Sequence, residues 1–270
     1  MTDTSPQQRA LVFDSGVGGL SVVEEIRRQL PNLALDYVAD DMFRPYGEKS
    51  AQQLLERLPG LIATLNLMLK PDVIVIACNT ASTTALAAIR KEVSTPVIGV
   101  VPAIKPAAEM SVSKKIGVLG TPGTVRRHYV DDLIEKFARH CDVKLMGSLA
   151  LVDYAERKLS GEEIDLDFIE AEIQPLFSKK TELDIDIIVL ACTHFPLLRS
   201  ELEAVTEGAV TWIDSGSAIA RRTKQILSGR SGKPRSKRKD IAFLIGPDAP
   251  TERVKSFQGF GFEKVIGLVP

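Results

Sequence analysis

The feature that most constrains this chain is an unbroken apolar run that ends in a thiol. Val73–Ile74–Val75–Ile76–Ala77–Cys78 leads straight into Asn79–Thr80–Ala81–Ser82–Thr83. More than a hundred residues on, Ile187–Ile188–Val189–Leu190–Ala191–Cys192 leads into Thr193–His194–Phe195–Pro196. Neither run alternates apolar with polar residues, which predicts strands covered on both faces, as in the interior of a parallel sheet. Such sheets bind ligands beyond the carboxyl ends of their strands. Both thiols are therefore expected at ligand-binding edges, each on a polar turn that opens a helix. The positive end of a helix favours thiolate over thiol. A cysteine ending an apolar strand can equally be a small buried hydrophobe. Two in matched contexts, each followed by hydroxyl or amide side chains, favour chemistry.

The rest of the chain supplies the matching alternation. Strands are expected at 10–13, 33–39, 96–101, 115–120, 143–148, 210–213, 241–245 and 263–268, besides the two cysteine strands. Helices are expected at about 20–30, 50–69, 82–91, 121–140, 150–158, 162–178, 196–206 and from 216 to 227, with another opened by Pro102 and Pro106 and one between the last two strands. Pro59 is expected to kink the long second helix. Strands that alternate with helices throughout mean an α/β fold with mostly parallel sheet. Asp–Ser–Gly follows a strand twice, at 14–16 and 214–216, and the cysteine turn also occurs twice. These echoes suggest two similar α/β lobes, each a central sheet flanked by helices, with an active site in the cleft between them. Pro102 and the second Asp–Ser–Gly turn place one lobe at 1–101 plus 211–270 and the other at 102–210.

Composition narrows the function classes. A net charge of −1 implies no bulk attraction to nucleic acid or membrane. No apolar run approaches the ~18 residues of a membrane span, and the polar start has no signal-peptide core. A cytoplasmic location follows. Three widely spaced cysteines, Cys78, Cys141 and Cys192, fit a reducing compartment rather than a disulfide framework. Metal-ligand spacing such as CxxC or HxxxH is absent from the sequence. Cys141 lacks the strand-to-turn context and reads as a bystander. His128 and His140 are expected on a solvated helix. Between Arg221 and Lys239 lie nine Lys/Arg and no acidic residue, which reads as a solvated helix end and loop rather than a polyanion site.

Two further sets of residues carry chemistry. Asp14–Ser15–Gly16–Val17–Gly18–Gly19 is a glycine-rich turn after the first strand. Asp14 and Ser15 can serve as helix-capping residues. Alternatively, Asp14 handles protons beside a thiol while Ser15 and the glycine backbone hold an anionic substrate. His194, two residues from Cys192, is a candidate acid or base because histidine titrates near neutrality.

With FDSGVGGLSV at 13–22, PYGEKS at 45–50, ACNTAS at 77–82, VVPAIKPA at 100–107, GTPGT at 120–124, CTHFPLL at 192–198 and IDSG at 213–216, the chain resembles the cofactor-independent glutamate racemases. The stretches run in family order over nearly its whole length. The resemblance implies interconversion of L- and D-glutamate without metal or other cofactor, supplying D-glutamate for peptidoglycan. It implies Cys78 as the base for D-glutamate and Cys192 as the base for L-glutamate, assisted by Asp14 and His194 respectively. It further implies that Ser15, Tyr46, Gly47, Asn79, Thr80 and Thr193 hold the amino acid, with Thr121 and Thr124 as contacts for its side-chain carboxylate. Asp153 stands where relatives usually carry a glutamate that supports the histidine, and is one methylene shorter. Arg44 replaces a residue more often apolar or aromatic. The partners allowed are the small-molecule substrate, a peptidoglycan-precursor activator and a second copy of the chain in a homodimer.

Two other readings stay open at this point. One is a racemase of the same superfamily acting on aspartate or another acidic amino acid. The other is a two-lobed amino-acid-binding protein without catalysis, against which the paired thiols speak, because binding alone needs none.

Overall fold

The computed structural model describes residues 6–177, 184–229, 233–234, 239–246 and 251–268. The strands are β1 Pro6–Gln7, β2 Arg9–Asp14, β3 Ala34–Ala39, β4 Val73–Ile76, β5 Val97–Gly99, β6 Lys115–Gly120, β7 Asp142–Gly147, β8 Ile187–Ala191, β9 Thr211–Ile213, β10 Lys233–Pro234, β11 Ile241–Ile245 and β12 Lys264–Leu268. The α-helices are α1 Leu20–Gln29, α2 Ala51–Leu69, α3 Asn79–Glu92, α4 Ile104–Met110, α5 Pro122–Val125, α6 His128–Phe137, α7 Ala150–Leu159, α8 Leu166–Ile173, α9 Arg199–Val205, α10 Gly216–Leu227 and α11 Thr251–Gly259. No helix among the described residues is long and apolar enough to cross a membrane.

The chain divides into two compact units, 1–100 with 216–270, and 101–215. The first holds a six-stranded sheet of order β12-β11-β3-β2-β4-β5, and the second a four-stranded sheet of order β7-β6-β8-β9. Every pairing within these two sheets is parallel. The central strands β2, β4 and β8 are buried along their whole length, which is why their sequences show no alternation. In the first unit one core layer joins Leu11, Phe13, Ile74 and Ile76 of the sheet to Leu54, Leu58, Ile62 and Leu65 of α2. Each such fully buried side chain contributes about 1.5–3 kcal/mol. In the second unit Leu119, Ile188 and Leu190 pack on α7, α8 and α9, while Ile116, Val118 and Val189 pack on α4 and α6.

Strand order locates the ligand edges. The four strands β3-β2-β4-β5 and the four strands β7-β6-β8-β9 wind in the same sequence. In each set the connection from the first strand in the chain goes one way and that from the third goes the other. The switch points therefore lie between β2 and β4 and between β6 and β8, where ligands enter open α/β sheets. Asp14 ends β2 and Cys78 follows β4; Thr121 follows β6 and Cys192 follows β8.

Several expectations need correction. Residues 211–213 do not belong with the first unit: Thr211–Ile213 pairs with Ile187–Val189 in the second sheet. The chain leaves that unit only after Ser215, whose hydroxyl donates to the Val101 carbonyl. The helix expected over 121–140 is two helices. Arg127 is extended (φ −85°, ψ 135°), and its Nε donates to the Gly123 carbonyl at 2.9 Å. In a continuing helix that carbonyl would receive the Arg127 amide. The segment expected over 162–178 starts only at Leu166, after Asp165 caps it, and residue 178 lies outside the described residues. The helix expected over 196–206 is a 3-10 turn, Phe195–Leu198, followed by α9. Helix α2 runs through Pro59 as one element. Of the basic stretch, residues 230–232 and 235–238 lie outside the described residues; Arg221, Arg222 and Lys224 are exposed on α10.

Candidate active site

In the first unit, the ends of β2 and β4 carry an acid and a thiol. Asp14 is fully buried. Its Oδ2 accepts the Gly19 amide at 2.8 Å and the Tyr37 hydroxyl at 3.4 Å. Its Oδ1, also buried, makes no hydrogen bond among the described residues. Tyr37 donates at 2.8 Å to the Gly16 carbonyl, so one phenol ties β3 to the glycine turn. Burial, and then the charges of Asp14 and Cys78, push the Tyr37 hydroxyl well above its ordinary pKa of 10.0, so it remains a donor at working pH. Cys78 is the N-cap of α3, and its Sγ lies 3.9 Å from Ser15 Oγ. Helix α3 opens at Asn79, earlier than expected, which puts Asn79 and Thr80 in its first turn, both buried. The Asn79 Oδ1 atom is a second buried acceptor without a hydrogen-bond partner among the described residues. Two such acceptors at one switch point suit a ligand cation such as an ammonium.

Tyr46 and Gly47 open a 3-10 turn, Tyr46–Glu48. The Tyr46 side chain is buried and donates to Asp40 Oδ2 at 2.6 Å. Its phenol is thus committed to the protein. What this turn can offer a carboxylate is the main-chain N–H of Tyr46 and Gly47, which begin a helical turn and so have no partner within it. Arg44 turns to Asp41, 3.2 Å away, and is 44% exposed.

In the second unit, Cys192 Sγ lies 3.8 Å from His194 Nδ1, and both residues are buried. The histidine's other nitrogen, Nε2, lies 3.4 Å from Glu156 Oε1 on α7. Asp153, expected in that role, is exposed on the same helix. At 3.6 residues per turn, Asp153 lies two positions from both buried Leu151 and buried Ala155, hence on the opposite side. Glu156 lies nearer their flank. Lys158 fixes α7 against the turn after the thiol by donating to the Leu197 carbonyl at 2.8 Å and pairing with Glu201. Thr121 caps α5 by accepting the Thr124 amide at 3.2 Å, and the two hydroxyls are 3.1 Å apart in a buried pair. Thr193 is buried beside Cys192.

The two thiol turns are less alike than their sequences. Cys78 caps a helix of 14 residues, whereas Cys192 precedes a 3-10 turn of four that begins only after His194. The helix dipole therefore serves the first thiol, and the imidazole serves the second. The second Asp–Ser–Gly turn is structural: Asp214 accepts Arg199 at 2.6 Å. His128 and His140 are exposed, with His140 beyond the end of α6, and Cys141 packs at the edge of a core layer.

Residues 18–223 match the Asp/Glu/Hydantoin racemase family. The glutamate racemase of Histophilus somni is 42% identical over 265 residues, which cover 98% of this chain and 98% of that one. The crystal structure of Escherichia coli glutamate racemase, in complex with L-glutamate and the activator UDP-MurNAc-Ala, matches with a TM-score of 0.91 and 42% identity, covering 98% of this chain and 99% of that chain. A glutamate racemase isoform of Bacillus anthracis matches with a TM-score of 0.78 and 28% identity, covering 97% of each chain.

Proposed function

The chain belongs to the Asp/Glu/Hydantoin racemase family, and from that premise we propose that it is a glutamate racemase that interconverts L- and D-glutamate through Cys78 and Cys192. The observation that carries the reading is a buried thiol at the switch point of each sheet, each with its own polar neighbour. Inversion by proton exchange needs a base on one face of Cα and an acid on the other. One thiolate takes the α-proton while the other thiol delivers its own to the opposite face, so the two cysteines exchange protonation states with each turnover. Two groups of one type suit a reaction whose directions are mirror images.

The α-proton of an amino acid is a far weaker acid than a thiol. Hydrogen bonds to the substrate carboxylates must therefore stabilise the carbanion-like transition state. Ser15, Asn79, Thr80, Thr193, Thr121, Thr124 and the Tyr46–Gly47 amides are the groups proposed to do so, with Asp14 Oδ1 and Asn79 Oδ1 as acceptors for the ammonium. Asp14 assists proton transfer at Cys78, and His194 does so at Cys192. Neither metal nor organic cofactor enters these steps. Glutamate is favoured over aspartate because the relatives that match along the whole chain are glutamate racemases.

The product would serve peptidoglycan synthesis, with a UDP-MurNAc-Ala-like precursor as activator and a homodimer as the assembled form. A cytoplasmic location accords with three free cysteines. The test is racemisation of L-glutamate in deuterated water, followed by circular dichroism and by deuterium at Cα, with and without the precursor, and with L-aspartate in parallel. Loss of optical activity with one deuterium per turnover is expected for glutamate. Binding without exchange would leave a binding protein, and faster exchange of aspartate would move the substrate.

A further inference from the structure

The turn that carries Tyr46 and Gly47 is held from behind by a charged cluster. Asp40 follows β3 directly and is fully buried. A buried carboxylate costs several kcal/mol unless it is paired and fully hydrogen-bonded. Arg57, seventeen residues on in α2, meets it as a fork, Nε to Oδ2 and Nη2 to Oδ1, both at 2.7 Å. The Tyr46 hydroxyl makes the third hydrogen bond, to Oδ2 at 2.6 Å. Burial, and then the Asp40 charge, raise the Tyr46 phenol well above its ordinary pKa, so it donates at every pH at which the protein works.

The same cluster closes the loop on itself. The Phe43 ring lies 4.9 Å from the Arg57 guanidinium and 5.1 Å from Lys49 Nζ, and meets Tyr46 edge-on at 6.1 Å. The base of the loop is tied to the strand ends: the Asp40 amide donates to the Asp14 carbonyl at 2.9 Å, and the Met42 amide to the Ile245 carbonyl at 2.8 Å. Arg57 thus fixes α2, Asp40 fixes the end of β3 beside Asp14, and Tyr46 fixes the first residue of the 3-10 turn. An apolar anchor would fill the same volume without the cost of desolvating two charges. A fork with a third hydrogen bond adds direction, because the carboxylate meets each donor along a defined line.

We propose that Asp40 and Arg57 are positioning residues that hold the Tyr46–Gly47 main chain in the geometry that receives a carboxylate of the substrate. This rests on the racemase reading, and specifically on that turn as a substrate contact. Neither side chain touches the substrate; both act through the Tyr46 anchor.

The test uses Arg57→Lys, which keeps the charge and loses the fork, and Tyr46→Phe, which removes one hydroxyl from a buried ring. KM for L- and D-glutamate should rise together, about tenfold in Arg57→Lys and less in Tyr46→Phe, with kcat within about threefold of wild type. Amide hydrogen exchange over residues 44–50 should speed up in both variants while that of α3 stays unchanged. A purely structural role would lower the melting temperature and leave KM alone. Unchanged KM, a fall in kcat without a change in KM, or unchanged exchange at 44–50 would each overturn the proposal. Wild-type protein that exchanges no α-proton would instead overturn the racemase reading, and the amide-exchange comparison would still decide whether the pair holds the turn.

Discussion

His194 bridges Cys192 and Glu156: its Nδ1 lies 3.8 Å from the thiol sulfur and its Nε2 lies 3.4 Å from the Glu156 carboxylate. A carboxylate 3.4 Å from the far nitrogen orients the ring toward the thiol. The imidazole so held stands within reach of the Cys192 sulfur, where it could exchange a proton with the thiol on the two-thiol reading.

Glu156→Gln should therefore slow the reaction by about tenfold, by loosening the orientation of the imidazole. The primary isotope effect with α-deuterated L-glutamate should rise, because proton removal by Cys192 becomes more limiting. Asp153→Ala, on the exposed side of α7, should have a much smaller effect. Kinetics of the two variants in the reverse order would return the supporting role to Asp153.

Gly19 is where the packing around Asp14 leaves no room. A Cβ at this position would lie 2.7 Å from the Tyr37 hydroxyl oxygen and 3.0 Å from the Cβ atoms of Ala77 and Asp14. Its φ of −61° suits any residue, so space alone demands glycine. Gly19→Ala should cost about 1–3 kcal/mol of stability and reduce kcat by displacing Asp14. Adding Tyr37→Phe removes the closest of these contacts, so the double variant should be less destabilised than the sum of the singles. Strict additivity in denaturant unfolding would shift the clash to the Ala77 and Asp14 carbons.

How far the fold and site could be read from sequence follows from where each signal sits. The central strands were legible because burial on both faces leaves only apolar residues at 73–76 and 187–191. The thiol turns were legible because a polar residue directly after such a run has to lie at the sheet edge. β9 was misassigned because its partner, β8, lies more than twenty residues upstream, and the return of Asp–Ser–Gly suggested a boundary that Arg199 and Asp214 make structural. Asp153 and Glu156 lie on one helix and differ in helical phase and by one methylene. Counting positions from the apolar Leu151 and Ala155 would have chosen Glu156. The Asp40–Arg57 pair spans a loop and a helix start, and no local spacing rule connects the two residues. The one available signal was an acid directly after the buried strand 34–39.

Asp186 is an acid-sensitive point of the second unit. It accepts the Ser111 hydroxyl at 2.6 Å and the amides of Val112 and Ser113 at 2.6 and 2.9 Å. Burial pushes its pKa up, but the hydrogen bonds, led by Ser111, outweigh burial and lower it from 3.8 to about 2. A carboxyl depressed on folding stabilises above its unfolded pKa and ceases to as pH falls through the folded value. The contribution is therefore complete above about pH 4, worth on the order of 1 kcal/mol at a carboxylate so open to solvent, and lost between about pH 4 and pH 2. Asp186→Asn should be less stable than wild type at neutral pH by about that amount, with the gap closing across this window. Urea midpoints that stay equally far apart from pH 6 to pH 2 would rule out the carboxylate as the source.

The thiols give the last prediction, and their unlike neighbours make it directional. Cys78→Ala and Cys192→Ala should each lower racemisation by about a thousandfold or more, since on the proposed two-thiol mechanism each removes one of the two proton-transfer groups. Cys141→Ala should be nearly silent. The partners then separate the two faces. His194→Asn weakens the group beside Cys192, and Asp14→Asn weakens the turn that holds Ser15 against Cys78. Enantiomers have equal free energy, so kcat/KM must fall equally in both directions in any variant. The bias has to be sought in kcat and KM separately and in isotope effects. His194→Asn should raise the isotope effect for α-deuterated L-glutamate, and Asp14→Asn that for α-deuterated D-glutamate. If both variants raised both effects equally, each thiol would draw on both partners, and the division of labour would fail while the two-thiol exchange stood.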